Sequence, residues 1–365
     1  MKKAKRFMAL VTSAVMALSL SACGSSSQSS SSTTATTAAG TSTDTAAAAE
    51  VAEGVLGDGS NRYITVAACP STSALYPFWV SMGDILDKSF TNVYPTVSES
   101  QGAVAITKRV RSGEAEIGNS VSATDYESYT GTGTFEGDAD PNLRMLFYYE
   151  VTWEMMCADA SEGITNIEQL QGKKFCPGGT GTSAESICKN ICSLFGVEPN
   201  WFTASQSDAS DAYSNKEIVG VVKLGPAVDS YVMQLNASSA INLISLTDEQ
   251  VEKITAEYPY LIAGTIPAGT YDGQTEDVQV VGTPQGCQTQ AGTFTQEEQY
   301  QICKAVFEDA ADMWKTSYPS GAENDLYELT LQSSVPLAAG TVQFLTEKGY
   351  EVPAELIPEE YVAVN

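Results

Sequence analysis

The first chemistry this sequence offers is a site for an anion, built from backbone. The run Phe175-Cys-Pro-Gly-Gly-Thr-Gly-Thr-Ser-Ala-Glu185 follows Gln171-Gly-Lys-Lys-Phe175, which reads as a short strand leaving a turn. It leads into Ser183–Leu194, where Ala184, Ile187, Ile191 and Leu194 recur at helical spacing. The order is strand, glycine-rich turn, helix. Glycines let a ligand approach the backbone, and Thr182 or Ser183 is a natural N-cap. The first N–H groups of such a helix lack intrahelical partners and favour negative charge. Gly179, Thr180, Gly181, Thr182 and Ser183 are therefore expected to hold an anionic group, most simply a carboxylate. The Lys-Ser/Thr pair of a P-loop is missing, so nucleotide chemistry is not implied.

Other junctions repeat the pattern. Arg62–Cys69 reads as a strand, and the following loop offers Ser71, Thr72 and Ser73 with Tyr76 as a wall. Val93–Ser100 is a second strand, followed by Gln101 and Gly102 and a helix over Val104–Ser112 that Gly113 ends. Glu114–Gly118 is a third, expected to deliver Asn119 and Ser120 as a loop at the same sheet edge. Further on, Glu217–Leu224 is β-rich and stops at Gly225-Pro226, before a helix expected over Ala227–Leu235. Lys223 is the basic residue close to one of these loop ends, and Gly225 would lie beside it.

Several chemistries are excluded. There is no histidine, which removes Ser-His and Cys-His catalysis and the commonest metal ligand. Cys188 and Cys192 share a helix face, but structural zinc sites use tighter pairs and a fourth ligand. Asp138–Asn142 resembles a calcium loop superficially, yet Leu143 and Tyr149 stand where such a loop needs glycine and glutamate. No metal, no cofactor and no enzymatic activity is expected. The net charge of −26 argues against nucleic acid as a partner and against a lipid surface held by charge.

The elements that must position these loops are alternating strands and helices, so the fold class is α/β. Leu143–Ala158 is too long for an ordinary strand and reads as one crossing between two lobes, with Tyr148, Tyr149 and Trp153 near a cleft. Val197–Gln206 and Ile241–Ser245 read as further strands, and Thr247-Asp-Glu-Gln250 carries a capping-box pattern. The first residues are of another kind. Lys2, Lys3, Lys5 and Arg6 precede an apolar run over Phe7–Leu20, a secretory leader. It ends in Leu20-Ser21-Ala22-Cys23-Gly24, which resembles a bacterial lipobox and implies cleavage before Cys23 and lipid on its thiol. The Ser/Thr/Ala-rich residues that follow read as a flexible tether.

A wider resemblance rests on Tyr258-Pro-Tyr-Leu-Ile-Ala-Gly-Thr-Ile-Pro-Ala-Gly-Thr-Tyr-Asp-Gly-Gln-Thr-Glu-Asp-Val-Gln-Val-Val-Gly282. With Tyr76-Pro77, Ser112-Gly-Glu-Ala-Glu-Ile117 and Gly179-Thr-Gly-Thr182, it resembles the TAXI family, substrate-binding proteins of tripartite ATP-independent periplasmic (TRAP) transporters. The chain differs from that family's pattern at Cys69-Pro70-Ser71, Ile106, Val121 and Val219. The resemblance implies a two-lobed, type II periplasmic-binding-protein-like fold with a ligand clamped between the lobes. It also implies a small-molecule solute such as an organic acid or glutamate-like amino acid, and TRAP permease subunits as partners at the membrane. An ABC-transporter receptor of similar shape is the alternative, and a hydrolase a more distant one. The expected layout is a leader over 1–22, a tether over 23–60, the first part of lobe 1 over 61–150, lobe 2 over 151–278, and a return to lobe 1 with C-terminal helices over 279–365.

Overall fold

The computed structural model describes residues 54–364. The leader, the lipobox and Cys23 lie outside the described residues. The expected tether does not extend to residue 60. Gly54 N–H donates to the Ser89 carbonyl (2.7 Å), Leu56 is buried in the core, and its N–H meets Asn92 Oδ1 at 2.8 Å. Burial of one leucine with its backbone bonds satisfied is enough to dock this stretch.

The chain begins with β1 (Arg62–Ala68), α1 (Tyr76–Ser89), β2 (Val93–Glu99), α2 (Ala103–Arg111), β3 (Ile117–Val121) and α3 (Ser122–Thr130). β4 (Leu143–Asp159) is a single 17-residue strand, buried throughout except at half-buried Trp153. A near-continuous apolar run of this kind is what a strand covered on both faces requires. Next come β5 (Lys174–Cys176), α4 (Ser183–Leu194), β6 (Asn200–Trp201), α5 (Gln206–Ser214), β7 (Gly220–Gly225), α6 (Ser230–Ser238) and β8 (Ile241–Leu243). α7 (Asp248–Glu257), β9 (Ile262–Ile266) and the long β10 (Val278–Gln290) precede the C-terminal helices α8 (Gln296–Lys304), α9 (Ala311–Ser317), α10 (Leu326–Thr330) and α11 (Ala339–Glu347). No helix among the described residues is long and apolar enough to cross a membrane.

The α/β architecture has two lobes built on one rule. The sheet runs β2-β1-β3-β10-β4-β7-β5-β6. In lobe 1, β2, β1 and β3 are parallel and β10 is antiparallel to β3. In lobe 2, β6, β5 and β7 are parallel and β4 is antiparallel to β7. Each lobe thus lays down its second, first and third strands, then a crossing strand. β4 and β10 pair with each other from Leu143 with Gln290 to Trp153 with Gly282, and both pass between the lobes. The lobe 1 core packs β1, α1 and the C-terminal helices, with Phe78 stacked on Tyr149 at 3.6 Å between ring centroids. In lobe 2, α4 and α7 cover one face of the sheet, while α5 and α6 cover the other.

Several sequence expectations are corrected. Asn119 and Ser120 do not form a loop; they lie within β3, which is buried at all five positions. The expected strand over Val197–Gln206 is two residues long, because Ser205 accepts the Asp208 N–H and starts α5 early. The helix after Gly225-Pro226 starts at Ser230, three residues late. Asp229 takes the N-cap by accepting the N–H groups of Tyr231 (2.8 Å) and Val232 (3.2 Å). Tyr149 faces the lobe 1 core and Tyr148 packs with Leu329, Val335 and Val342 on the other face of β4, so neither faces a cleft, and both are fully buried. Thr247 and Gln250 make the reciprocal capping box that their spacing predicts.

Candidate functional site

A cavity of about 130 Å³ lies between the lobes, where β4 and β10 cross. Lobe 1 contributes Cys69 at the end of β1, Leu75 before α1, Ala103 and Ile106 on α2, and Asn119 and Val121 on β3. The crossing strands contribute Thr152 and Gln285 as a floor. Lobe 2 contributes Thr182, Ser183 and Ala184 at the start of α4, Gln206 at the start of α5, and Lys223 and Leu224 near the end of β7. Nearly every one of these residues sits at the carboxyl end of a strand or the amino end of the following helix, the edge where open α/β sheets present ligand sites.

The floor is a closed hydrogen-bond chain. Gln285 Nε2 donates to Thr152 Oγ1 at 2.6 Å, and Thr152 Oγ1 donates to the Thr283 carbonyl at 3.3 Å. Asn119 Oδ1 accepts the Trp79 indole N–H at 2.7 Å, which fixes the amide against the lobe 1 core. Cys69 keeps its thiol protonated, because burial pushes its pKa up to about 11. Lys223 carries the one formal charge on the lining; its Nζ lies 3.9 Å from Asp229 Oδ2 and 6.0 Å from the Tyr231 ring centroid. A side chain at Gly225 would strike Asp229, so glycine there leaves room for the acid beside the lysine. Tyr271 fastens this corner, as its hydroxyl donates to the Ala227 carbonyl (2.8 Å) and accepts the Asp229 N–H (3.0 Å).

The two lobes touch over the cavity. Thr124 and Ser183 share a hydroxyl hydrogen bond of 2.8 Å, and Ser186 Oγ donates to Glu127. Tyr126 meets Tyr260 at 5.3 Å between centroids. A Cβ on Gly102 would lie 3.6 Å from the Gly181 carbonyl, an ordinary contact from lobe 1 to lobe 2.

Of the residues singled out in the sequence, Asn119, Thr182, Ser183 and Lys223 come together on the cavity, while Gly102 and Gly225 lie just behind its wall. The others do not reach it. Ser71 and Thr72 are exposed, and the Ser71 N–H is bonded to Glu99 Oε2 (2.8 Å); Ser73 Oγ accepts the Leu75 N–H (3.3 Å). Tyr76 lines a separate groove on the outer face of lobe 1 with Val80, Asp84 and Val97. Gln101 is exposed, and Ser120 is buried with its hydroxyl donated to Asp125. In the glycine-rich turn, Gly179 bridges to Ala204, and Thr180 bonds the Ala204 carbonyl through both N–H (3.0 Å) and hydroxyl (3.1 Å). The Gly181 N–H is taken by the chain's own Glu185 carboxylate at 2.8 Å, which in turn pairs with Lys189 at 2.6 Å. The anion at the turn is therefore Glu185, and Gly181, at φ +74°, shapes the backbone that lets it reach.

Sequence reasoning missed Thr152, Gln206 and Gln285 as well as the apolar walls. A signal was present for two of them. Thr152 and Gln285 are polar residues near the middle of long strands that otherwise read as buried, and such residues need a reason. Ile106 and Val121, two positions where the chain departs from the TAXI pattern, both line the cavity.

Comparison with solved structures gives distant likenesses. The chain is similar to MatC of Rhodopseudomonas palustris with bound malate, at 12% identity and TM-score 0.48, over 79% of this chain and 96% of that one. It is similar to the alkanesulfonate-binding protein SsuA of Xanthomonas axonopodis pv. citri bound to MOPS, at 12% identity and TM-score 0.42, over 79% and 91%. A TctC solute binding protein from Polaromonas matches at 13% identity and TM-score 0.44, over 72% and 88%. At such identities and scores the likeness says nothing about which solute the cavity takes. The NMT1-like family model matches residues 66–349, and the chain belongs to the NMT1-like family.

Proposed function

We propose that this protein is an extracytoplasmic solute-binding receptor that closes two lobes over a small carboxylate-bearing solute and delivers it to a membrane permease. The observation that carries the reading is the cavity itself. It is lined from both lobes, floored by the crossing strands, and holds one lysine and no acid. Family membership supports the same reading. The motion is hinge closure, in which the ligand favours the closed state by the contacts it makes with both lobes.

The permease is proposed to be of the TRAP type, on the resemblance of the Tyr258–Gly282 segment to the TAXI family. An ATP-driven permease is the second reading. Uptake in vesicles holding either permease separates them: the first needs an ion gradient, and the second needs ATP. The receptor is proposed to be held at the membrane by lipid on Cys23, and Cys23→Ala should release it from membranes into the aqueous phase. A bound solute stabilises the closed form by about 2.7 kcal/mol at a hundredfold excess over its dissociation constant. Small-angle scattering with and without a solute that produces this thermal shift is the direct test. An unchanged radius at saturation would remove closure from the mechanism.

A further inference from the structure

We infer that the cavity selects a small aliphatic monocarboxylate that carries no ammonium group. This narrows the solute-binding reading above and rests on it. Charge is the first ground. Lys223 alone is charged on the lining, and no aspartate or glutamate faces the cavity. Asp229 is not on the lining; its Oδ2 lies 3.9 Å from the lysine and its Oδ1 accepts two backbone N–H groups. A carboxylate entering here gains a charge-assisted bond from Lys223. The ammonium of an α-amino acid would lose its water with no anion to face it, which is costly. Glu154 does not supply that anion. It lies two residues along β4 from Thr152, paired with Leu224, and neither of its oxygens has a partner. Burial holds its carboxyl well above the usual carboxylate range, and it is not on the lining.

Size and shape are the second ground. The volume of about 130 Å³ is close to that of an apolar cavity that accepts benzene, which sets the ligand at roughly six or seven non-hydrogen atoms. Glutamate is larger. Leu75, Ile106 and Val121 on lobe 1 offer apolar surface, while the lobe 1 amide Asn119 and the floor pair Gln285 and Thr152 are already bonded within the protein. The head group therefore belongs at Lys223 on lobe 2, since the Thr182 hydroxyl donates to the Gly179 carbonyl (2.6 Å) and that of Ser183 is bonded to Thr124 (2.8 Å). The chain belongs against lobe 1.

Calorimetric titration of the purified protein with acetate, butyrate, hexanoate, octanoate, 2-aminobutyrate and L-glutamate tests the inference. Affinity should rise about fourfold per methylene from acetate to butyrate, stop rising by hexanoate, which exceeds the cavity, and collapse for octanoate. 2-Aminobutyrate, which is butyrate with an added ammonium, should bind at least about tenfold more weakly than butyrate. Lys223→Met should lower butyrate affinity by about tenfold or more. Leu75→Ala, on the lobe 1 wall, should move the favoured chain length up by about one or two carbons. Melting of each free variant, measured alongside, separates lost binding from lost fold. If 2-aminobutyrate or L-glutamate binds more tightly than butyrate, still with dependence on Lys223, this inference is overturned and the receptor reading stands. If none of the six acids saturates the protein, both fall.

Discussion

The third strand of each lobe ends in the same arrangement with different residues. β3 ends at Val121 and β7 at Gly225, and a buried aspartate follows each by four positions, Asp125 and Asp229. Two positions before each strand end stand Asn119 and Lys223, and both line the cavity. In lobe 2 the aspartate caps α6 and sits beside the lysine. In lobe 1 it has no cation within reach of a salt bridge; Ser120 donates to one oxygen, and the other has no partner. Burial pushes the Asp125 carboxyl up to about 8. The first-strand turns differ in the same sense. The turn after β1 gives the cavity only Cys69 and Leu75, whereas the turn after β5 gives it Thr182 and Ser183. One topology has thus been divided between two tasks. On the lining, lobe 1 carries mostly apolar side chains, and lobe 2 carries the one formal charge.

The largest test of that division is Asp125→Asn. The acid is protonated when folded up to about pH 8 but ionises near pH 4 when unfolded, so the wild type loses stability as pH rises between these values. The variant should not. Its unfolding free energy should match the wild type near pH 4 and exceed it at pH 8, by roughly a few kcal/mol; equal slopes of stability against pH would show that Asp125 is not held neutral. The next is Lys223→Asn, which gives lobe 2 the residue of lobe 1. Binding of the carboxylate should weaken by about 1.5–3 kcal/mol, the value of a hydrogen bond to a charged group. Undiminished affinity would move the charge-bearing role elsewhere. Asp229→Ala should destabilise the free protein by about 1–2 kcal/mol through loss of the α6 cap, opposite in sign to its lobe 1 counterpart at neutral pH. Urea unfolding reads both. The smallest is the pair Thr182→Ala and Thr72→Ala. The first removes the α4 N-cap, which accepts the Glu185 N–H at 3.4 Å, and should cost about 1 kcal/mol; the second, in the exposed lobe 1 turn, should change stability by less than about 0.5 kcal/mol. Similar losses at both would erase the contrast between the turns.

Much of the framework could be read from the chain because local rules agreed with tertiary ones. The length of β4, the capping box at Thr247 and the strand-turn-helix around Thr182 all follow from periodicity and capping residues. The site was less legible, for a directional reason. A loop after a strand identifies an edge of the sheet, yet not which side chains turn inward. At β1 the inward positions fall on Cys69 and Leu75, so the hydroxyls of Ser71 and Thr72 face solvent. At the glycine-rich turn the helix start was correctly placed. What spacing could not show is that Glu185, one helical turn in, folds back onto the Gly181 N–H. Satisfaction of a donor by a neighbour depends on rotamer and φ, and composition carries neither.

All seven described cysteines are unpaired and buried, Cys69, Cys287 and Cys303 in lobe 1 and Cys157, Cys176, Cys188 and Cys192 in lobe 2. Cross-linking therefore contributes nothing to holding these residues together, and an oxidising or reducing surrounding leaves the native structure equally supported. Each thiol except that of Cys69, which lines the cavity, becomes reactive only when its own neighbourhood opens, so the rate at which an alkylating reagent consumes it measures that opening. The molecule carries a clock for each lobe, two ticks on one side and four on the other, that needs no engineered label.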